Sequence, residues 1–317
     1  MANKPKILVV ACDAGGAEIV SAYVLKNKNK FNFICYAYGP AKKIFLRKKL
    51  NFKSSPANLN SIKKIIDIQG NLDLVLTGTS GLSRVEINFI SIAKSKGIET
   101  AVYLDHWVNY RERFGFPKVG WKDNLPTEIW AGDKPALRLA KKVFIGQKIK
   151  FVPNQYFKDM IFEYRNSKIK ATHSKSTVLF ISEPINKGSV NFDIKRSQKF
   201  SIINEHDVLN YLIKNLINNK RYRQLIIRLH PSDKKSKYEY LWPKYLKKLD
   251  FKISKDKLVD DLRQASLVVG MESTALVVAY LCHKKVISIL PKRKNTFDLP
   301  INIIKVKNLH DLDKYLI

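Results

Sequence analysis

The stretch from Asp260 to Ile289, DDLRQASLVVGMESTALVVAYLCHKKVISI, decides the fold. It reads as helix end, buried strand, sharp turn, helix, strand. Ser266 to Val269 is a short apolar run that Gly270 breaks. Met271-Glu272-Ser273-Thr274 then opens an apolar helix over about 275–282, and 286–290 is the next strand. Such a turn presents free backbone N–H groups and two hydroxyls at a helix start, where an anion is welcome. Upstream, the strand 224–229 ends in His230-Pro231-Ser232-Asp233. If both strands belong to one parallel sheet, their carboxyl ends are expected side by side, at the usual ligand edge of an open α/β sheet. The pattern predicts a phosphate-bearing ligand held between His230 and the Ser273-Thr274 turn.

The same alternation runs through the first half. A strand over 6–11 is followed by the turn Cys12-Asp13-Ala14-Gly15-Gly16 and a helix over 17–25. This is a Rossmann-like opening, in which Gly15 and Gly16 let backbone approach a ligand closely or simply make the turn. The GxGxxG fingerprint is missing, so dinucleotide binding is not expected. Further strands are predicted at 33–38, 72–76, 99–104, 128–131 and 150–152, with helices at 41–50, 59–68, 85–96, 135–143 and 155–165. The third strand ends in Thr77-Gly78-Thr79-Ser80-Gly81. The fourth ends in Asp105-His106-Trp107, followed closely by Asn109, Tyr110, Arg111 and Arg113. That density of polar and aromatic groups suits recognition of a polar ligand, or else an aromatic loop packed between domains with Asp105 capping a turn.

The polar, basic and aperiodic stretch 166–176 reads as a linker. Beyond it come a strand at 177–181 ending in Ser182-Glu183-Pro184, a polar loop over 187–199, an amphipathic helix at 207–218 and helices at 238–249 and 257–264. A strand at 301–306 and a helix from about 309 finish the chain. The fold class is therefore α/β, with two Rossmann-like domains at 1–165 and 177–317.

With 317 residues and 45% hydrophobic composition, the chain can bury two full cores. Lys and Arg number 58 against 27 Asp and Glu, a formal charge of +31. The excess fits an anionic partner such as an acidic membrane surface or a phosphorylated glycan, or else a Lys-rich compositional bias on solvated faces. The lysines are scattered and no nucleic-acid signature accompanies them, so nucleic acid is not an expected partner. Cys12, Cys35 and Cys282 have neither zinc nor disulfide spacing, which points to a reducing cytoplasmic compartment. The N-terminus lacks a signal-peptide core, and no apolar run approaches the ~20 residues of a membrane span, so membrane contact is expected to be peripheral. No strand-end acidic pair indicates a catalytic metal, since Asp260-Asp261 falls in a helix. No cofactor is expected.

RLHPSD (Arg228 to Asp233) and GMESTAL (Gly270 to Leu276), set in two Rossmann-like halves, resemble bacterial GT-B glycosyltransferases that carry an HP motif. These are sialyltransferases, capsule-type Kdo transferases and polyglycerophosphate transferases of surface polysaccharide biosynthesis. The resemblance implies two domains facing each other across a cleft. It places a CMP- or UDP-linked nucleotide-sugar donor on the second domain and a glycan or lipid-linked acceptor on the first. It implies that His230 lies against the donor phosphate, which Ser273 and Thr274 bind. Arg228, Pro231, Gly270 and Glu272 are the further donor-side candidates, Glu272 either for a ribose or as an ordinary first-turn residue. Gly15, Gly16, His106, Trp107 and Arg111 are the acceptor-side candidates. The aspartate of the sialyltransferase acidic motif has no match, so the general base stays open between Asp13 and Asp105.

The chemistry agrees. Glycosyl transfer leaves charge on the departing phosphate, which a histidine and a helix dipole can stabilise without a metal. An imidazolium can also protonate it. A nucleotide-sugar 2-epimerase and a non-catalytic basic binding module are the alternatives. A protein of the cytoplasm, or of the inner membrane's cytoplasmic face, fits either enzyme.

Overall fold

The computed structural model describes residues 4–81, 83–169, 176–183, 204–231, 233–245, 247–290 and 299–316. Ser232, the loop 187–199 and the greater part of the expected linker (170–175) lie outside them. The chain divides into two compact units, Met1–Asp159 and Met160–Ile317, and the division falls inside the helix Gln155–Arg165, ahead of the stretch read as a linker.

The first unit has seven strands: β1 Lys6–Ala11, β2 Asn32–Ala37, β3 Lys53–Ser54, β4 Leu74–Thr77, β5 Thr100–Leu104, β6 Glu128–Ala131 and β7 Lys148–Phe151. All pair in parallel, in the order β3-β2-β1-β4-β5-β6-β7. Its helices are α1 Ala14–Asn27, α2 Ala41–Arg47, α3 Leu59–Gln69, α4 Val85–Ser95 and α5 Lys134–Val143, and α6 Gln155–Arg165 runs across the division. The run KILVVA of β1 shows why the sheet is sandwiched. Ile7, Val9 and Ala11 pack with Ala17 and Val20 of α1 and Phe45 of α2, while Leu8 and Val10 pack with Ile62 and Ile66 of α3 and Phe89 of α4. A strand apolar on both faces is stable only with helices on both sides.

The second unit has six: β8 Thr177–Ile181, β9 Gln224–Arg228, β10 Asp250–Ile253, β11 Leu267–Gly270, β12 Lys285–Ile289 and β13 Ile304–Val306. They too are parallel, in the order β10-β9-β8-β11-β12-β13. The helices that matter here are α7 Glu205–Ile217, α8 Leu258–Gln264 and α9 Thr274–Leu281. Asn204 starts α7 with a capping box, and the α7 face Val208, Leu209, Leu212, Ile213 and Leu216 fills the core over Phe180 and Ile227.

Each unit thus begins at its central strand, adds two strands to one side, then crosses to add the rest on the other. This is the Rossmann order, and the crossover leaves a crevice at the carboxyl ends of β1 and β4 in the first unit and of β8 and β11 in the second.

Four sequence expectations need correction. β9 and β11 share a sheet, but β8 lies between them, so the His230 and Ser273-Thr274 turns flank the end of β8 instead of touching side by side. Gly270 does not break the strand; it closes β11, opposite Ser288. Helix α1 starts at Ala14, so Gly15 and Gly16 lie in its first turn and not in a loop. The helix expected over 238–249 is only the short turns Glu239–Leu241 and Trp242–Tyr245, after which β10 begins.

Candidate functional site

In the second unit, β9 delivers His230 past its last paired residue, and Asp233 closes the loop. The His230 N–H donates to Asp233 Oδ2 at 3.0 Å, and the Asp233 N–H returns to the His230 carbonyl at 2.8 Å. Ser182, just beyond β8, donates its hydroxyl to Asp233 Oδ2 at 2.9 Å. Lys237 Nζ reaches Asp233 Oδ1 at 3.0 Å, Ser182 Oγ at 2.9 Å and Glu205 Oε1 at 3.1 Å. The Tyr238 hydroxyl lies 2.8 Å from Ser182 Oγ. Pro231 stands exposed at the loop's outer end.

On the other side of β8, Gly270 leads into the turn that starts α9. Ser273 is the N-cap; its hydroxyl accepts the Ala275 N–H at 3.3 Å, and Thr274 is the first helical residue. The first N–H groups of a helix have no acceptor within it, so Ser273 and Thr274 present donors at a positive dipole end. One donor of the turn is already engaged, because the Glu272 N–H reaches Glu183 Oε2 at 2.9 Å. Ser182 and Glu183 together therefore bridge the end of β8 to both flanking turns, a link that sequence reasoning missed.

Two donor-side candidates have structural work. Arg228 Nη1 pairs with Asp261 Oδ2 at 2.6 Å and with the Asp256 carbonyl at 2.9 Å, and the Asp261 side chain is fully buried and also held by Ser254. The carboxylate is enclosed while the Arg228 side chain keeps 22% exposure, so Arg228 has a structural role at the end of β9 through Nη1. Gly270 is needed for packing: a Cβ there would lie 3.2 Å from the Ile181 carbonyl and 3.1 Å from Leu276 Cδ2.

In the first unit, Asp13, the 77–81 turn and Asp105 meet at the ends of β1, β4 and β5. Asp105 Oδ1 accepts from the Thr79 hydroxyl at 2.7 Å and from Arg113 Nη1 at 2.5 Å, and Arg113 also reaches Thr79 Oγ1 at 2.6 Å. Gly15 packs directly over Asp105 Oδ2, where any Cβ would overlap it. A Cβ on Gly16 would lie 3.2 Å from Gly78 Cα and the Thr79 nitrogen. Both glycines serve this close packing of α1 on the sheet end.

Asp13 receives the Gly81 N–H at 3.3 Å. Burial pushes its carboxyl up, against the Ser80 hydroxyl, and Asp105 adds to the rise while Arg113 opposes it. Behind it sits Glu86, buried in the first turn of α4. Its Oε1 accepts the Cys12 N–H at 3.1 Å, and its Oε2 has no hydrogen-bond partner among the described residues. Burial, with Asp13 and Asp105 adding, holds this carboxyl well above the usual range. The only sequence sign of Glu86 was an acidic residue at the start of a helix that follows a strand-end turn.

Trp107 is not a ligand surface. It is 4% exposed, its indole N–H donates to Asp133 at 3.0 Å, and its ring stacks on Phe157. His106 packs edge-on against Trp107, half-buried, while Arg111 is exposed with its guanidinium 4.4 Å over the Phe116 ring. Among the described residues no group of three His, Cys, Asp or Glu is placed to hold a metal ion, and no helix is long and apolar enough to cross a membrane.

No protein-family model and no curated sequence matches the chain. Solved structures do. A UDP-GlcNAc 2-epimerase from Neisseria meningitidis bound to UDP-GlcNAc is similar over 92% of this chain and 84% of that chain, with 9% identity and a TM-score of 0.61. Anabaena HepE in complex with UDP is similar over 98% and 88%, with 10% identity and a TM-score of 0.59. Phytolacca americana UGT2, complexed with UDP-2fluoro-glucose and pterostilbene, is similar over 100% and 83%, with 9% identity and a TM-score of 0.53. The fold is of the GT-B class. At these identities the likeness carries the two parallel α/β sheets and their strand order, and no residue roles.

Proposed function

We propose that the chain is a glycosyltransferase that moves a sugar from a nucleotide-activated donor to a hydroxyl of a glycan or lipid-linked acceptor, in surface polysaccharide synthesis of the HP-motif type. The observation that carries this reading is the carboxyl edge of the second unit, where a histidine loop and a helix-opening Ser-Thr turn flank one strand end at the sheet's crossover. Departing phosphate needs charge stabilisation there, and His230, the Ser273 and Thr274 N–H groups and the α9 dipole supply it. The engagement of the Glu272 N–H by Glu183 leaves the phosphate to the donors at Ser273 and Thr274.

Deprotonating the acceptor falls to a carboxylate of the first unit, and the environments of the two candidates differ. Asp105 is tied to Arg113 and Thr79 and packed under Gly15, whereas burial raises the Asp13 carboxyl and makes it a stronger base than an ordinary aspartate. Asp13 is the base in this reading. Excess positive charge on the chain would favour a phosphorylated or membrane-borne acceptor.

The second reading, a nucleotide-sugar 2-epimerase, is supported by the likeness to the Neisseria enzyme. Incubating the protein with UDP-GlcNAc, CMP-linked and other nucleotide sugars in the absence of acceptor separates the two. A transferase leaves the donor's stereochemistry untouched in NMR spectra and turns over only when acceptor is added. Epimerised donor without acceptor would replace the first reading with the second.

A further inference from the structure

We infer that Asp233 and Ser182 are positioning residues that set the His230 loop against the donor phosphate, with Lys237 and Glu205 holding them in place; the inference rests on the donor reading above. The loop is closed from both ends, since Asp233 accepts the His230 N–H at 3.0 Å and donates its own N–H to the His230 carbonyl at 2.8 Å. Its carboxylate is used on both oxygens, Oδ2 by His230 and Ser182, Oδ1 by Lys237. Lys237 in turn joins Glu205, in the capped first turn of α7, so the loop is moored to a helix start and to the end of β8. These side chains are enclosed: Asp233 is 2%, Glu205 4% and Lys237 11% exposed.

The charge count decides what this cluster does. The one ammonium is shared between two carboxylates, so this enclosed cluster has no spare cation to offer a phosphate. The cluster therefore does not bind the anion; it fixes the backbone that presents His230. Ser182 carries the same restraint further, because its neighbour Glu183 holds the Glu272 N–H in the opposite turn. A shift of the end of β8 would thus be felt by both turns, and second-layer hydrogen bonds of this kind are what keep a site within its working geometry.

The test uses the full chain and two variants. Asp233→Asn offers one acceptor oxygen where the carboxylate uses two, so either the His230 side or the Lys237 side loses its partner. Ser182→Ala removes only a hydroxyl, and it decides the matter if Asp233→Asn fails to fold. The first readout is the imidazole 1H–15N spectrum, in which His230 is identified among the 6 histidines by its disappearance in His230→Ala. The second is calorimetric affinity for UDP and for CMP. The expected result is that the His230 signals shift or broaden in both variants, while the histidines away from this cluster, His106, His283 and His310, stay put. Nucleotide affinity is expected to fall tenfold or more, with the melting temperature of Ser182→Ala within a few degrees of wild type. Unchanged His230 signals in both variants would overturn the inference. Absence of UDP and CMP binding by the wild-type protein would instead remove the donor reading on which it rests.

Discussion

Glu86 is 2% exposed and accepts the Cys12 N–H through one oxygen, while its other oxygen meets no partner among the described residues. Burial and the two neighbouring aspartates raise its carboxyl well above the ordinary value of 4.5. A carboxyl raised in the folded state binds its proton more tightly there than in the unfolded chain. Its favourable contribution is therefore complete below the unfolded value and is lost as pH rises towards the folded one, at up to about 1.4 kcal/mol per pH unit. Glutamine copies the protonated form and cannot titrate. Glu86→Gln should accordingly gain stability over wild type as the pH is raised from 5 to 8, read from paired denaturation curves at each pH. A gap that stays constant would mean that Glu86 is not held protonated. The same burial that makes this residue informative also hid it: in sequence, Glu86 is one acid at the head of the apolar α4. The pairing of Arg228 with Asp261 was hidden by distance along the chain.

Among the elements, β1, β6, β8 and α6 span the residues their patterns predicted. β1 and β8 are continuous apolar runs, while β6 and α6 are bracketed by Pro126 and Gly132 and by Pro153 and the polar stretch after Arg165. β3 and β10 escaped notice for a shared reason. Each is the outermost strand on the same side of its sheet, and its residues (KS in one, DFKI in the other) carry too little apolar pattern to stand out. At β10 the apolar residues Tyr245, Leu249 and Phe251, all packed into the core, imitated a helical face and extended the predicted helix to Leu249. The Gly15-Gly16 pair was legible as close approach but not as to its object, which is the chain's own Asp105 and Gly78. That object can be tested by a double-mutant cycle. Gly15→Ala should cost about 1–3 kcal/mol by forcing Asp105 aside, and most of that cost should vanish when Asp105 is already alanine. Additive losses in chemical denaturation would show that Asp105 is not what Gly15 makes room for.

For the molecule as a whole, two crossover crevices in one chain carry different chemistry. The first unit gathers Asp13, Glu86 and Asp105 with one Arg113; the second gathers a histidine loop and a helix start, and in the proposed function the proton falls to the former and the anion to the latter. The turns that carry both were readable from where strands give way to small and polar residues. The contacts that fix them, Glu183 with the Glu272 N–H, Lys237 with Glu205 and Glu86 with the Cys12 N–H, join residues far apart in sequence that only the fold brings together. Lys237, Arg228 and Arg113 are each tied to buried or nearly buried carboxylates, and such pairing leaves the formal excess of +31 untouched. The central claim, that the second unit binds a nucleotide through the His230 loop and the Ser273-Thr274 turn, is tested most directly by thermal unfolding of wild-type and His230→Ala protein with saturating UDP, CMP, GDP or CDP-glycerol. A ligand at 100 times its Kd adds about 2.7 kcal/mol. The account predicts a clear rise in melting temperature with at least one nucleotide, lost in a His230→Ala protein whose own melting temperature is unchanged. An equal rise in both proteins, or none in either, would contradict it.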